Sequence, residues 1–157
     1  MMPMLCVIVP ILTGVPMMLF YTKVKKFGMI SIFGLLVGVF LCVTGMGLWP
    51  LAFGVVFGVL ADLVAKSGEY CSAARTVLSN GLFNVLIFGN YVTLYTDRAS
   101  YFASRQSFGE EYITTLDSLM QPWTAPVLIA TAFICGILGA LLGKKLLKKH
   151  FVKAGIV

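Results

Sequence analysis

The side chains that could bind a ligand are concentrated in one polar stretch, Asp97 to Trp123, which lies between two apolar runs. The stretch holds four of the six acidic residues and two of the 12 basic residues. If its first part, up to Ser107, is helical, Arg98, Tyr101 and Arg105 share one face at positions i, i+3 and i+7. Guanidinium groups bind carboxylate or phosphate through two parallel hydrogen bonds, and aromatic rings stack on flat organic groups. The spacing therefore favours a site for a small organic molecule.

Further candidates for this site lie within the polar stretch and next to it. Three of its acidic residues, Glu110, Glu111 and Asp117, offer the charge opposite to that of the arginines. The apolar run before it ends in polar and aromatic residues from Asn90 onward. The residues that we predict to bind the solute are Trp49, Asn90, Tyr91, Tyr95, Arg98, Tyr101, Arg105 and Glu111. The alternative is a solvated interfacial helix whose charges pair with one another.

Catalysis and metal binding have no comparable residue set. The chain has one histidine, and its four cysteines include no CxxC pair, so we expect the cysteines to serve in packing. No nucleophile, base and metal ligands occur together, and we predict neither enzyme activity nor a cofactor. Without a cluster of His, Cys or Asp ligands, a zwitterionic or anionic organic solute is favoured over a bare metal ion.

The elements that position these residues are apolar helices. The chain has 59% hydrophobic and 11% charged residues, whereas soluble domains have about 25% charged residues. A spanning helix needs about 20 mostly apolar residues, and five stretches approach this length. We predict an all-α, polytopic membrane helical bundle that forms a single integral membrane domain over residues 1–157. The predicted spans are residues 2–22, 27–44, 50–64, 76–96 and 122–147, and residues 97–121 form an outer loop.

Orientation follows from the distribution of basic residues. Ten of them fall at one end of the predicted bundle, and only Arg98 and Arg105 fall at the other. Because cytoplasmic loops carry the excess of Lys and Arg, we predict a plasma-membrane protein with a cytoplasmic C-terminus and the polar stretch outside. Because the lysines are clustered at the ends of apolar runs, as is typical of membrane proteins, we do not expect nucleic acid to be a partner. Five spans would leave the N-terminus outside, so we expect one more helix before the first residue.

Small residues recur at four-residue spacing in several spans. The pairs are Gly34 and Gly38, Gly54 and Gly58, Ala61 and Ala65, Ala132 and Gly136, and Gly139 and Gly143. Such pairs let helix backbones approach closely in lipid. We expect them to pack inside the bundle, and the alternative is contact with a second membrane protein.

Three of the polar residues within the predicted spans have expected structural partners. We expect Asn80 and Asn84, which share a helix face, to form hydrogen bonds between helices. We expect Asp62, four residues before Lys66, to form an ion pair with it, and the alternative is a contact to a cytoplasmic partner.

Four segments together resemble a known family: LTGVPMMLFYTKVKKFGMISIFGLLVG, GVVFGVLADLVAKSGEY, RASYFASRQSFGEEY and GALLGKKLLKKHFVKAGIV. The family is Trep_Strep, also described as MptD-like substrate-binding subunits of energy-coupling factor (ECF) transporters. The resemblance covers nearly the whole chain, and the tail is its most specific part.

The resemblance implies a six-helix S component that captures a micronutrient outside the cell. Such a subunit docks on a coupling transmembrane protein driven by two cytoplasmic ATPases, and it topples in the bilayer during uptake. Its pocket lies on the outer side, under the connections after helices one, three and five. The five predicted spans would be helices two to six, and the connections over the pocket would include residues 45–49 and the outer loop. The alternatives are a non-transporting membrane scaffold and a self-sufficient homo-oligomeric transporter or channel.

Overall fold

The structure, a computed structural model, describes residues 4–103 and 109–151 of the chain. These residues form helices and no strands, which confirms the predicted all-α class. The helices are α1 (Leu5–Lys23), α2 (Met29–Leu41), α3 (Trp49–Ser67), α4 (Ala73–Asn84), α5 (Gly89–Thr96), α6 (Arg98–Ala103), α7 (Glu110–Leu119) and α8 (Thr124–Leu146). A 3-10 turn, Val85–Phe88, joins α4 to α5, and π-helical turns, Cys42–Met46 and Leu147–Phe151, extend α2 and α8.

Five helical segments are long and apolar enough to cross a membrane. They are Cys6–Lys23, Met29–Met46, Trp49–Ser67, Ala73–Thr96 and Thr124–Lys149. Each overlaps one of the predicted spans, because an apolar run of this length leaves few alternatives to a helix in lipid. The fourth segment joins α4, the 3-10 turn and α5 into one span.

The two ends of the bundle differ in charge. We call the end where α1 and α8 finish the lysine end; its basic residues are Lys23, Lys25, Lys26, Lys66, Arg75, Lys144, Lys145, Lys148 and Lys149. We call the opposite end, which carries α6, α7 and the starts of α3 and α8, the loop end.

The fourth span is the centre of the bundle. In an apolar 18-residue window of this span, 72% of the residues are buried inside the protein, against 17% to 33% of the residues in the corresponding windows of the other four spans. Helix α1 packs on α8, α2 packs on α3, and α4 packs on both α3 and α8. The architecture is therefore two helix pairs, α1 with α8 and α2 with α3, on either side of a central span.

Polar side chains join the central span to both pairs. Asn80 Nδ2 donates a hydrogen bond of 2.8 Å to the Gly136 carbonyl of α8, and Ser79 Oγ donates one of 2.6 Å to the Ala61 carbonyl of α3. The interhelical bond predicted for Asn80 is thus confirmed. The prediction for Asn84 is wrong, since its amide donates to the Asn80 carbonyl one turn earlier in its own helix.

The small-residue pairs face one another inside the bundle. A Cβ built on Gly34 would lie 2.5 Å from the Gly54 carbonyl oxygen, and one built on Gly14 would lie 2.2 Å from the Gly139 carbonyl oxygen. All ten residues of the predicted pairs are buried. Packing within the bundle is therefore confirmed, and these backbone contacts hold the two helix pairs together.

Asp62 corrects a prediction. The ion pair with Lys66 is wrong, because the Asp62 side chain is fully buried against α2 and its carboxylate accepts four hydrogen bonds. The donors are the Gly28 and Ser31 amides, the Ser31 hydroxyl and the Tyr70 hydroxyl. The carboxylate thus caps the start of α2 from a neighbouring helix, where the helix dipole also favours a negative charge. Lys66 instead places its ammonium 4.7 Å from the centre of the Phe27 ring.

Candidate functional site

The loop end contains a cavity of about 670 Å³. Ligand pockets in proteins commonly measure about 300 to 1,000 Å³, so the cavity has room for a small organic molecule. It lies where the ends of α5 and α7 meet the start of α8. Phe88, Val92 and Tyr95 form one wall, because positions i, i+4 and i+7 lie on one face of a helix.

Arg98 and Asp117 form the charged part of the cavity lining. Arg98 Nη1 donates a hydrogen bond of 2.6 Å to Asp117 Oδ1, and Nη2 donates to the Met120 carbonyl. The side chains of this ion pair are 37% and 51% exposed, so both remain in contact with solvent. The guanidinium thereby joins the start of α6 to the end of α7, and it presents charge at the cavity.

Tyr95 supplies the link between the aromatic wall and α8. Its ring centre lies 6.0 Å from that of Phe88, and its hydroxyl lies 2.7 Å from Thr124 Oγ1. Gln121 adds a neutral amide to the lining. The cavity therefore combines an apolar wall with an ion pair and uncharged polar groups, which suits a molecule with both a flat body and a charge.

Two of the aromatic residues predicted to bind the solute are buried in the core of the loop end. Tyr91 and Tyr101 are only 1% and 3% exposed, and they pack in a cluster with Leu116, Met120 and Leu128 beneath the short helices of the loop end. Neither residue lines this cavity, so their role in solute binding stays a prediction. Aromatic side chains suit a helix core as well as a ligand site, so residue type alone did not separate the two roles.

The other predicted residues lie apart from the cavity. Trp49 is exposed at the start of α3, and the Glu111 side chain is exposed in the first turn of α7. The structure pairs Asp117 with Arg98 and leaves Glu111 outside the lining. Arg105 lies outside the described residues, so the predicted i, i+3, i+7 face is described only for Arg98 and Tyr101.

Asn90 does not line the cavity, and part of its side chain is buried elsewhere. Its Oδ1 atom and the Thr93 Oγ1 atom one turn later are buried without a hydrogen-bond partner among the described residues. Thr93 Oγ1 lies 3.7 Å from a Cβ built on Gly47, in the connection between α2 and α3. Thr93 thus borders one of the connections expected to cover a pocket, but neither Asn90 nor Thr93 lines the 670 Å³ cavity.

The comparison with protein families gave a match over nearly the whole chain. The family model Trep_Strep, described as a hypothetical bacterial integral membrane protein, matches residues 1–153. The chain belongs to the Trep_Strep family. Neither the comparison with curated proteins nor the comparison with solved structures found a match. The family description agrees with the five apolar spans.

In this Trep_Strep protein, two of the eight predicted residues, Tyr95 and Arg98, line the loop-end cavity. The sequence analysis did not identify the wall residues Phe88 and Val92, because apolar side chains of this kind occur in any core helix. It also missed Gln121. Within residues 4–103 and 109–151, no group of three or more His, Cys, Asp or Glu residues could hold a metal ion.

Proposed function

We propose that this Trep_Strep protein is the substrate-binding S component of an ECF-type importer. It captures a small micronutrient at the loop end and passes it to an ATP-driven module. The observation that carries the proposal is the loop-end cavity, whose volume, aromatic wall and ion pair fit a small organic solute. The chain supplies no ATPase motif in this proposal, so a coupling transmembrane protein and two cytoplasmic ATPases are its partners.

The solute class follows from Arg98 and Asp117. An ion pair that is this exposed contributes only about 0 to 1 kcal/mol, so a solute can displace it at little cost. A carboxylate or phosphate of the solute would then pair with the guanidinium, and a cationic group would pair with Asp117. The flat or apolar part would lie on Phe88, Val92 and Tyr95. An amphipathic zwitterion or anion fits this arrangement best.

The proposed orientation places the loop end outside the plasma membrane and the lysine end in the cytoplasm. The basic residues of the lysine end support this orientation through the positive-inside rule. The proposed ATPases lie on the same side as the lysines, and the solute enters from the other side.

The partners provide the first test. The tagged protein is purified from its native host in mild detergent, and every protein that accompanies it is identified by mass spectrometry. A coupling membrane protein with two ATPases is the expected result. Recovery of the chain alone or as a homo-oligomer, from cells that also express an ECF module, contradicts the proposal.

Transport in liposomes separates the remaining functions. We expect the reconstituted complex to accumulate solute from a metabolite extract only when ATP is present on the ATPase side. Solute flux through the chain alone, without ATP, would indicate a self-sufficient transporter or channel. Binding of partners without any solute would indicate a scaffold.

A further inference from the structure

A second cavity, of about 280 Å³, lies at the lysine end. It is bordered by the end of α1, the start of α4 and the end of α8. All five membrane-spanning segments begin or end at the lysine end. The cavity therefore lies near the boundary between the hydrocarbon and the aqueous phase, and it is separate from the loop-end site.

Two lysines form the charged rim of this cavity. Lys144 and Lys148 are four residues apart, which places them on one face of α8 and its π-helical extension. Both side chains are exposed, and neither forms an ion pair with a described acidic residue. Their neighbours Lys145 and Lys149 lie outside the lining. Two lysines thus line one small volume, and no carboxylate among the described residues is paired with either of them.

The floor of the cavity is apolar or already hydrogen-bonded. Met18 and Leu147 are buried there, and the Thr76 hydroxyl donates to the Ser72 carbonyl in its own helix. The Tyr70 hydroxyl donates to Asp62, whose carboxylate is occupied by its other hydrogen bonds to the start of α2. The lysines are therefore the groups left to bind a ligand, and the floor accepts an apolar part.

We propose that this cavity binds an anionic phosphate group through Lys144 and Lys148. A ligand with a compact anionic group and an adjoining apolar part matches a phospholipid, and basic pockets between helices at the membrane surface bind phospholipid headgroups. A soluble phosphate compound presents the same charged group. The volume, close to the lower limit for small-molecule pockets of about 300 Å³, favours a headgroup over a bulky solute. The site does not depend on the transport function proposed above.

The test compares two double variants in detergent by native mass spectrometry. Lys144→Gln with Lys148→Gln removes the cavity charges, and Lys145→Gln with Lys149→Gln removes the same charge from the adjacent positions. We expect wild type and the control variant to bind phosphatidylglycerol at least about tenfold more tightly than the cavity variant does. Equal losses in both variants overturn the proposal, and so does equal binding of phosphatidylcholine and phosphatidylglycerol by wild type.

A second arm distinguishes the source of the phosphate. If sodium phosphate, without lipid, stabilises wild type but not the cavity variant, the site accepts soluble phosphate. If only phosphatidylglycerol does so, the ligand is a phospholipid. Absence of both effects overturns the proposal.

A measurement on the wild-type protein tests the proposal even if the variants do not fold. The exposed Cys71 side chain also lines this cavity. Phosphatidylglycerol should slow the reaction of Cys71 with a maleimide at least about fivefold relative to phosphatidylcholine. A contact with one lysine already raises the affinity for an anionic headgroup by about that factor, and a bound headgroup covers the thiol. An unchanged rate contradicts occupation of the cavity.

Discussion

Arg98 has two partners in the structure and a third in the proposed complex. Its guanidinium holds Asp117 and the Met120 carbonyl, and it borders the cavity where a solute anion would bind. A planar cation with several donors can keep one bond while it exchanges another. The residue can therefore respond to a solute without separating α6 from α7.

We expect Arg98→Gln to lower solute capture far more than it lowers stability. The exposed ion pair contributes less than about 1 kcal/mol to folding, whereas loss of a charge-assisted bond to the solute should weaken binding at least about tenfold. Mass spectrometry of small molecules retained from a cell extract measures capture. Glu111→Gln, an exposed residue outside the cavity, is the control. Equal retention by wild type and Arg98→Gln would remove Arg98 from the site.

Asp62 is a structural residue with a large expected effect. Asp62→Asn keeps the shape but replaces a carboxylate oxygen by an NH₂ group facing hydrogen-bond donors. Because the position is fully buried, we expect a loss of about 3 kcal/mol in the free energy of unfolding. Thermal unfolding in detergent measures this loss. Lys66→Gln should cost less than about 1 kcal/mol, since the Lys66 ammonium lies over the exposed Phe27 ring at the surface. A similar cost for both variants would restore the ion-pair interpretation.

Tyr70 adds a pH dependence to the same network. Burial, followed by the hydrogen bond and the charge of Asp62, raises the pKa of the Tyr70 hydroxyl above its ordinary value of 10.0. A raised pKa in the folded state means that this stabilisation is complete below pH 10 and is lost as the pH rises through the folded-state value. Unfolding temperatures measured from pH 8 to pH 11 should fall more steeply above pH 10 in wild type than in Tyr70→Phe. Parallel curves would contradict this assignment.

At the scale of elements, glycine contacts decide which helices pair. The α1 and α8 backbones meet at Gly14 and Gly139, and those of α2 and α3 meet at Gly34 and Gly54. Lipid offers little hydrophobic drive for helix association, so close backbone packing must supply much of it. The pairing is therefore sensitive to single methyl groups at these positions.

We expect Gly139→Val to destabilise the bundle by at least about 2 kcal/mol, because the added carbons would overlap the backbone of α1, which cannot move aside. The control is Ala130→Val in the same helix, where the side chain is exposed on the outer surface. Thermal unfolding of both variants in detergent checks the difference. Equal stability would show that α1 and α8 are not held at this contact.

The spanning helices could be predicted from the sequence, whereas the hydrogen-bond and ion-pair partners of the side chains could not. The apolar runs predicted the five spanning segments, and the spacing of small residues predicted which helix faces pack inside the bundle. The pairing of Arg98 with Asp117 depends on how α7 folds back over α5, which no short-range spacing encodes. The rule of charge pairs at i, i+4 holds for exposed helix surfaces. It failed at Asp62 because that position faces the start of another helix.

At the scale of the whole molecule, charge separates the two ends of the bundle. The proposed orientation predicts that a reagent added outside intact cells will not reach the lysine end. Cys71, an exposed thiol at that end, should therefore react with a membrane-impermeant maleimide only after the cells are opened. Ser118→Cys in the Cys71→Ser background, at the loop end, should react in intact cells. The reverse pattern would invert the topology.

The pairing of α1 with α8 has a consequence for synthesis in the cell. Helix α1 packs on α8, which follows it by more than 100 residues, so Gly14 enters the membrane long before Gly139 leaves the ribosome. At translation rates of about 5 to 20 residues per second, the delay is on the order of ten seconds. During that interval the exposed backbone groove of α1 is open to other helices in the bilayer, including those of a second nascent chain. The contact between α1 and α8 can therefore form only after most of the chain has been synthesised.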